Sequence, residues 1–324
     1  MARRKKENRI LNTLSGLLVV ALVLAGGYYH EDVMGFFRSF HLPSLSGDTP
    51  AFQTQQASAN AAPHAEEGIF LIHFIDVGQG DSILLQSLQS SQVMENILID
   101  GGDSDRGETV VNYLKQQCVE KLDAVIATYP ASDHIGGLPK VFEEFEVGSV
   151  YMPKKTYMSK AFEDLVTAVQ KEGLQAQATH SGMTIPLIGT DIQVWGPVPE
   201  ENYGNLNDYS LVLMVQVQGK RFLLTGDAGT ISEQEQLEQG YWMEADVLKV
   251  PYHGGTDACG DYYTSIVSPD YAVISVGEGQ EEFPAPETMD TLRKYSGKIL
   301  RTDRDGSVVF RVSNGVLTLA EEYK

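Results

Sequence analysis

The pattern of apolar and polar positions predicts alternating strands and helices from residue 68 to the C-terminus. Short apolar runs that end at glycine or turn residues predict strands, whereas apolar positions at helical spacing predict helices. The predicted strands cover residues 68–76, 82–86, 96–100, 122–128, 148–152, 191–195, 210–217, 221–225, 246–250, 271–276, 298–302 and 307–312. The predicted helices cover residues 107–118, 136–145, 159–172, 230–239, 261–267 and 286–295. This alternation predicts an α/β domain in which two sheets are sandwiched between helical layers.

The N-terminal part of the chain has a different pattern. Residues 10–29 form an apolar run without a charged residue, directly after a basic cluster at residues 1–9. About 20 such residues suffice for a helix to cross a bilayer, and basic residues favour its cytoplasmic side. The pattern predicts a single-pass cell-membrane protein with a cytoplasmic tail at 1–9 and an extracytoplasmic C-terminal domain. A cleaved signal peptide is the alternative, although no small-x-small cleavage site directly follows the run.

Residues 30–67 separate this run from the predicted domain at 68–324. Much of the stretch is polar and biased toward alanine, glutamine, serine and proline. That composition is typical of a flexible tether, which would hold the domain off the membrane.

Charge is distributed unevenly along the 324 residues. Residues 1–9 hold five of the 24 basic residues and one of the 44 acidic residues, so residues 10–324 carry a formal charge of −24. A surface that negative repels phosphate backbones, which argues against non-specific DNA binding. It also keeps an exported domain soluble.

The two cysteines, Cys118 and Cys259, lie far apart in the sequence. A disulfide is permitted outside the membrane, but the spacing alone does not establish one. Cys118 falls in a helical pattern and is a candidate core residue.

Four candidate metal ligands lie near the ends of predicted strands: Asp133, His134, Asp227 and His253. Taken singly, Asp133 is explained as a helix N-cap, Asp227 as a turn residue and His253 as a structural histidine. Loops that follow strands are where α/β enzymes place their functional groups. Two carboxylates and two imidazoles together suit a divalent ion such as zinc, manganese or iron.

A series of motifs carries a more specific resemblance. In chain order they are FIDVGQGDS at 74–82, NILIDGG at 96–102, DHIGGL at 133–138, NDYSLVL at 207–213, LLTGDA at 223–228, DVLKVPYHG at 246–254, AVISVG at 272–277 and RTDRDG at 301–306. Nearly all of residues 68–324 resembles the metallo-β-lactamase-type hydrolase domain of ComEC-like competence proteins. The resemblance implies an αββα sandwich and a metal-dependent hydrolase of phosphodiester or similar ester bonds.

The same resemblance implies roles for single residues. Asp133, His134, Asp227 and His253 match ligands of the family's second metal position, and Asp133 and Asp227 would serve catalysis. A further set would support the ligands or contact substrate: Asp76, Asp81, Asp100, Asn207, Tyr129 and Tyr252.

The chain departs from the family pattern where that pattern has histidine. These four lost ligand positions are Tyr129, Ala131, Tyr252 and Phe283. The first two belong to the first metal position, so the resemblance implies a site reduced to one ion. If the family's ligand lies at Tyr252 and not at His253, the second position is damaged too, and the sequence leaves this choice open.

Two functions follow for the predicted domain. The first is a one-metal hydrolase, with zinc as the expected ion, manganese as an alternative, and extracellular DNA or an envelope phosphodiester as substrate. The second is an inactive family member without metal that acts as a binding or scaffold module. The lost ligand positions favour the second function, and the four retained residues favour the first.

Overall fold

The computed structural model describes residues 68–321 except residues 90, 91, 188 and 200. The anchor expected at 10–29 and the tether expected at 30–67 lie outside the described residues. Within the described range, no helix combines the length and the apolar composition needed to span a membrane.

Fifteen strands of the described range form two sheets. The first sheet has eight strands in the order β15-β14-β1-β2-β3-β4-β5-β6, and the second has seven in the order β13-β12-β11-β10-β9-β8-β7. The strands are β1 Gly68–Phe74, β2 Ile83–Gln89, β3 Gln92–Ile99, β4 Lys121–Ile126, β5 Glu146–Pro153, β6 Ala176–Thr179, β7 Thr184–Leu187, β8 Thr190–Gly196, β9 Val212–Val217, β10 Lys220–Leu224, β11 Val247–Lys249, β12 Tyr271–Ile274, β13 Lys298–Arg301, β14 Val308–Ser313 and β15 Val316–Leu319.

Helices of the described range cover the outer faces of the sheets. They are α1 Gly107–Gln116, α2 Ser132–Ile135, α3 Leu138–Glu144, α4 Lys160–Lys171, α5 Thr230–Glu238, α6 Asp261–Val267, α7 Pro286–Tyr295 and α8 Thr302–Asp305. Two 3₁₀ turns, Leu206–Tyr209 and Pro251–Gly254, complete the set. The predicted two-sheet α/β fold is confirmed by this arrangement.

Three apolar layers hold the domain together. Side chains from both sheets, such as Phe74, Leu213 and Phe310, interdigitate in the central layer. Alternate positions of the same strands face outward, where Leu98 packs beneath α1 and α3 and Leu248 packs beneath α6 and α7. Strands buried on both faces are apolar throughout, which is why the sequence pattern located them within a few residues.

The three strands that the pattern did not predict lie at sheet edges. β6 and β15 close the two sides of the first sheet, and β7 closes one side of the second. β6 is short and partly polar, β7 contains Pro186, and β15 is half-exposed. Edge strands bury only one face and tolerate proline, so they lack the apolar run that predicts an inner strand.

Two sequence expectations for single residues are wrong. Cys118 is exposed and not part of the core, and both it and the buried Cys259 are free thiols. Asp133 is not an N-cap, because it lies inside the first turn of α2, whose N-cap residue is Ala131. The carboxylate of Asp133 is therefore available for another role.

Truncation of Phe310 tests the central layer. Its ring is fully buried and makes edge contacts with the rings of Phe74, Phe222 and Tyr271. We expect Phe310→Ala to lower the free energy of unfolding by about 3–5 kcal/mol through lost burial and a residual cavity. Urea unfolding of the purified chain measures the loss.

The matched control is Tyr262→Ala, which removes a ring that is 68% exposed on α6. Its effect should stay within about 1 kcal/mol. A loss below about 1 kcal/mol for Phe310→Ala would contradict the packing of the two sheets around this ring.

Candidate metal centre

The candidate centre lies where the carboxyl ends of strands from both sheets approach each other. Asp133 and His134 follow β4 of the first sheet, whereas Asp227 and His253 follow β10 and β11 of the second. β3, β4 and β5 are parallel neighbours, and so are β10 to β13, so their loops emerge on one side. The four residues are hereafter the four-residue cluster.

Close backbone approaches position Asp133 and His134. The amide of Asp81 donates to the carbonyl of Asp133 at 3.0 Å, and the amide of Gly101 donates to the carbonyl of His134 at 2.6 Å. Gly80 has φ +131°, and a Cβ there would lie 2.3 Å from the carbonyl oxygen of Asp133. Only glycine permits this contact. Gly80, in the motif at 74–82, and Gly101, in the motif at 96–102, therefore position the backbone of Asp133 and His134.

Unusual backbone geometry positions His253. Tyr252 and His253 are both in the left-handed region, with φ of 48° and 50°. The turn is held where the amide of Tyr252 donates to the carbonyl of Gly226 at 3.3 Å and the amide of Gly255 donates to the carbonyl of Tyr252 at 2.7 Å. This conformation costs roughly 1–2 kcal/mol per residue. Such strain persists at functional sites when the surrounding structure enforces it.

Ligand-type atoms of the four-residue cluster all lie within 4.8 Å of one another. The Nε2 atom of His134 is 3.1 Å from Oδ2 of Asp227. The Nε2 atom of His253 is 3.4 Å from Oδ2 of Asp133 and 3.4 Å from Oδ1 of Asp227. Of Tyr252 and His253, it is therefore His253 whose side chain enters the cluster.

The second nitrogen of each imidazole has a separate partner. Nδ1 of His134 is 2.8 Å from Oδ2 of Asp100, and Nδ1 of His253 is 2.9 Å from the carbonyl oxygen of Ser275. Both partners accept hydrogen bonds, so each ring donates from Nδ1 and presents Nε2 to the cluster. This is how proteins orient histidines that bind metals.

Buried polar atoms in the cluster fit a cation. Nε2 of both histidines and Oδ1 of Asp227 are fully buried, and each faces another member of the cluster at 3.1–3.4 Å. Four ligands about 2.05 Å from an ion at tetrahedral angles lie about 3.3 Å apart, close to the three distances above. The donor set of two nitrogens and two oxygens therefore fits one divalent ion.

The carboxylates also control the protonation of the imidazoles. Burial would lower the pKa of His134, but Asp227 and Asp100 outweigh burial and hold that pKa well above its usual value of 6.5. Burial would also lower the pKa of His253, but the charge of Asp227 and the contact with Asp133 outweigh burial and raise that pKa above its usual value. In the chain without metal, protonated His134 therefore stabilises the fold below about pH 6.5, and this contribution is lost as the pH rises through the raised pKa.

Asp227 is shifted in the opposite direction. Burial would raise its pKa, but His134 and His253 outweigh burial and lower the pKa below its usual value of 3.8. Asp227 is therefore an anion at neutral pH, and its stabilising contribution is lost only in acid.

A buried ion pair lies behind the cluster. The ammonium group of Lys249, which is fully buried, contacts Oδ2 of Asp81 and donates to the carbonyl of Gly226 at 2.7 Å. The carboxylate of Asp81 lies 3.8 Å from Nδ1 of His134 and 3.7 Å from Nδ1 of His253. Lys249 thus supplies a buried positive charge that pairs with Asp81 and helps to lower the pKa of Asp227.

Aromatic side chains line the cluster at three of the four lost ligand positions. The ring of Tyr129 meets that of His134 edge-on with centroids 5.6 Å apart. The ring of Phe283 lies 6.1 Å from that of His253 and 5.4 Å from that of Tyr252. Tyr129, Tyr252 and Phe283 are hereafter the aromatic rim. The fourth position, Ala131, contributes only a methyl group at the start of α2.

Not every predicted supporting residue joins the cluster. Asp81 and Asp100 lie behind the imidazoles, as described above. Asp76 is exposed, and its carboxylate accepts from the amide of Gly78 at 3.0 Å. The amide of Asn207 donates to Oδ1 of Asn205 at 3.1 Å, and its carbonyl accepts from the amide of Ser210 at 2.9 Å. Within the described residues, Asp76 does not belong to a group of histidine, cysteine or carboxylate side chains that could hold an ion.

Thr128 and Lys249 also support the cluster, although they were not among the residues predicted from the sequence. Thr128 donates from its amide and its hydroxyl to Asp100, at 2.8 and 2.5 Å, and so fixes the carboxylate that orients His134. Lys249 had a detectable signal, because it interrupts an apolar strand pattern and a buried lysine needs a partner. Thr128 had none, because a threonine at a strand end is common.

Comparison with known proteins places this geometry in a family context. The sequence profile described as the metallo-beta-lactamase superfamily matches residues 75–278. Among solved structures, the metallo-beta-lactamase fold protein YhfI from Bacillus subtilis superposes with a TM-score of 0.48 at 13% identity, over 79% of this chain and 100% of that chain.

Two curated relatives are competence proteins. ComE operon protein 3 of Bacillus subtilis (strain 168) is 27% identical over 77% of this chain and 34% of its own length. Competence protein ComA of Neisseria gonorrhoeae is 27% identical over 74% of this chain and 32% of its own length. The chain thus spans about a third of the length of these relatives. The predicted resemblance to the metallo-β-lactamase-type domain of ComEC-like competence proteins is confirmed.

Metal binding should release protons from the cluster. Because the carboxylates keep His134 protonated near pH 7, an ion that binds Nε2 must displace a proton. We expect release of at least one proton per ion, and an apparent affinity that rises about tenfold per pH unit for each proton released. Calorimetric titration with zinc in buffers of different ionisation enthalpy measures the release.

Asp100→Asn provides the mechanistic control. It keeps the shape of Asp100 but removes the charge that raises the pKa of His134, so fewer protons should be released. Asp164→Asn on the surface of α4 should leave the number unchanged. Equal proton release in all three chains would contradict the role assigned to Asp100.

Proposed function

The chain belongs to the metallo-β-lactamase superfamily, and from this premise we propose that it is a metal-dependent hydrolase with a one-metal site held outside the membrane. The observation that carries the proposal is the meeting of two imidazole Nε2 atoms and the Asp227 carboxylate in a buried space, at distances of 3.1 and 3.4 Å.

One divalent ion is the cofactor of the proposed enzyme. Asp133, His134, Asp227 and His253 would hold it, and zinc suits this mixture of nitrogen and oxygen donors, with manganese as an alternative. When bound, the ion supplies Lewis-acid chemistry that activates water and polarises an ester oxygen. Histidine is absent at Tyr129 and Ala131, which supports one ion and not two.

The protein's own groups have distinct tasks in this reaction. Asp133 has a side chain that is 31% exposed, whereas the other three members of the cluster are buried, so substrate and water reach the cluster beside Asp133. Burial would raise the pKa of Asp133, but its contact with His253 and the charge of His134 lower it. The ionised carboxylate can therefore accept a hydrogen bond from the attacking water and orient it.

A phosphodiester or related ester is the substrate class that the family resemblance supports. The formal charge of −24 on residues 10–324 opposes a long polyanion such as DNA. An envelope phosphodiester is the preferred substrate, with extracellular DNA as the alternative. The apolar run at 10–29 and the basic residues before it support a single-pass anchor in the cell membrane, with the domain on the extracytoplasmic side.

The alternative function is an inactive binding or scaffold module. The aromatic rim favours it, because Tyr129, Tyr252 and Phe283 fill the volume of lost histidines without providing ligand nitrogens. The retained ligand set supports the hydrolase over this alternative, because two imidazole nitrogens and two carboxylates converge within 4.8 Å, which is the donor set that a divalent ion requires.

Metal analysis combined with an assay tests the proposed hydrolase. We expect the purified chain to carry about one equivalent of a transition metal and to cleave a bis(aryl) phosphodiester. Asp227→Ala should lower the metal content to below about one tenth of an equivalent and reduce cleavage at least about 100-fold, because the carboxylate that faces Nε2 of both histidines is lost.

Asp191→Ala, which alters an exposed carboxylate on β8, is the matched control and should retain metal and activity. A chain that holds less than a tenth of an equivalent of metal, unchanged by Asp133→Ala, would instead establish the inactive module.

Restoring the missing histidines tests the one-metal interpretation. The double variant Tyr129→His and Ala131→His reinstates the two histidines of the family's first metal position. We expect its zinc content to rise from about one to about two ions per chain, as measured by elemental analysis. The variant Tyr129→Phe removes only the hydroxyl and should stay near one ion. Two ions in the wild-type chain would contradict the reduced site.

A further inference from the structure

The aromatic rim forms a right-angled corner beside the four-residue cluster. The rings of Tyr252 and Phe283 meet at an interplanar angle of 81° with their centroids 5.4 Å apart. Both side chains are half-buried, so part of each ring is open to solvent. The centroids of these two rings lie 6.4 and 6.1 Å from that of His253. The corner is therefore accessible and adjoins the candidate ligands.

Close backbone packing fixes this corner. A Cβ at Gly255 would lie 2.5 Å from Cδ1 of Tyr252 and 3.0 Å from Cε1 of Phe283. Only glycine therefore lets the backbone pack against both rings. The amide of Ala285 donates to the carbonyl of Gly254 at 2.8 Å, which ties the loop that carries Phe283 to the turn that carries Tyr252. The angle between the two rings is thus set by the fold before a ligand binds.

Negative charge surrounds the same corner. Burial raises the pKa of the Tyr252 phenol, and so do the charges of four carboxylates, those of Asp227, Asp133, Glu282 and Asp257. Within the described residues, none of these four carboxylates pairs with a lysine or an arginine. The corner therefore combines aromatic faces with uncompensated negative charge, and both attract a cation.

A quaternary ammonium group is the cation that suits such a corner. The ring quadrupole attracts the positive charge, while the methyl groups of the cation contact the apolar faces. Each contact strengthens binding roughly two- to fivefold at an exposed ring and up to about thirtyfold at a desolvated ring. A primary ammonium group is strongly hydrated, so it would lose more hydration among the rings than a trimethylammonium group.

The distance between the rim and the cluster matches the length of a choline phosphodiester. Four bonds separate the ammonium nitrogen of choline from phosphorus, and bonds of about 1.5 Å give an extended span of roughly 5 Å. The ring centroids of the rim lie 5.6–6.4 Å from those of the neighbouring imidazoles. An ammonium group at the rim can therefore place the attached phosphate at the cluster.

We propose that the aromatic rim holds the quaternary ammonium group of a choline phosphodiester while its phosphate lies at the four-residue cluster. The inference rests on the proposed hydrolase and specifies the substrate class of that site. Such a substrate is a zwitterion without net charge, so the formal charge of −24 on residues 10–324 does not repel it as it repels a polyanion. The rings at the lost ligand positions then bind substrate.

The position of the choline group determines which ester bond is cleaved. The attacking and leaving oxygens lie roughly in line through phosphorus, so a group held at the rim stays on phosphorus. The oxygen of water bonds to phosphorus, and the bond from phosphorus to the other alcohol breaks. That alcohol leaves with one proton of the water, and the second product is choline phosphate.

Two substrates that differ only in charge test the inference. Both are 4-nitrophenyl phosphodiesters. One carries choline, and the other carries 3,3-dimethylbutanol, in which carbon replaces the ammonium nitrogen. The full chain, supplied with zinc, is assayed by release of nitrophenol. We expect kcat/KM to be at least about tenfold higher for the choline ester, mainly through a lower KM, because only the attraction to the rim differs.

Variants of the rim locate this preference. Phe283→Leu removes an aromatic face but keeps apolar volume and should reduce the preference to within about threefold, whereas Phe283→Tyr keeps the face and should retain it. Glu282→Gln neutralises a carboxylate beside the corner and should weaken the preference. Tyr262→Leu on α6 and Glu172→Gln after α4 make the same changes at exposed positions elsewhere and should leave the preference unchanged.

Binding of the tetramethylammonium ion provides a readout that requires neither metal nor catalysis. Saturation-transfer NMR on its methyl protons measures the affinity for the full chain. Phe283→Leu should weaken this binding at least about threefold, whereas Tyr262→Leu should leave it unchanged.

The outcomes are distinct from those for the hydrolase. Equal kcat/KM for the two nitrophenyl esters, or tetramethylammonium binding that Phe283→Leu leaves unchanged, would overturn the role of the rim and leave the hydrolase intact. Cleavage of neither ester, with binding of the cation that depends on Phe283, would instead overturn the hydrolase and support the rim. Release of choline phosphate from phosphatidylcholine vesicles or from soluble glycerophosphocholine would support the proposal and distinguish a lipid source from a soluble one.

Discussion

The shared contact of one buried carboxylate, Asp227, with two imidazoles is the interaction on which the site depends. Its oxygens face Nε2 of His134 and of His253 at 3.1 and 3.4 Å, and it is 2% exposed. An anion so deeply buried requires a nearby positive charge, which either protonated imidazoles or a metal ion can supply. The strand ends of both sheets and the strained turn at Tyr252 serve to bring these three groups together.

Most of the fold could be predicted because its inner strands are buried on both faces. A strand such as β12 is apolar at successive positions, and so short an apolar run between turn residues predicts a buried strand. The edge strands β6, β7 and β15 escaped prediction because only half of each is buried, so their pattern resembles that of a loop. The helices were predicted closely because α4 and α7 pack one apolar face against a sheet.

The candidate site was predictable in its members but not in its geometry. Asp133, His134, Asp227 and His253 follow strand ends in the sequence, and the structure places their ligand-type atoms within 4.8 Å of one another. The choice between residues 252 and 253 depends on two left-handed backbone conformations, which no side-chain pattern encodes. The position of Asp76 was unpredictable for a similar reason, because a residue two positions beyond a strand can turn toward either side.

The division of the cluster between the two sheets has a mechanical consequence. Asp133 and His134 are attached to the first sheet, whereas Asp227 and His253 are attached to the second. An ion held by all four would join the layers at one end of the sandwich, much as a disulfide joins distant segments. Sliding of one sheet over the other would then require breaking coordination bonds as well as separating apolar side chains, so a chelator would loosen the cohesion between the layers while leaving each sheet intact.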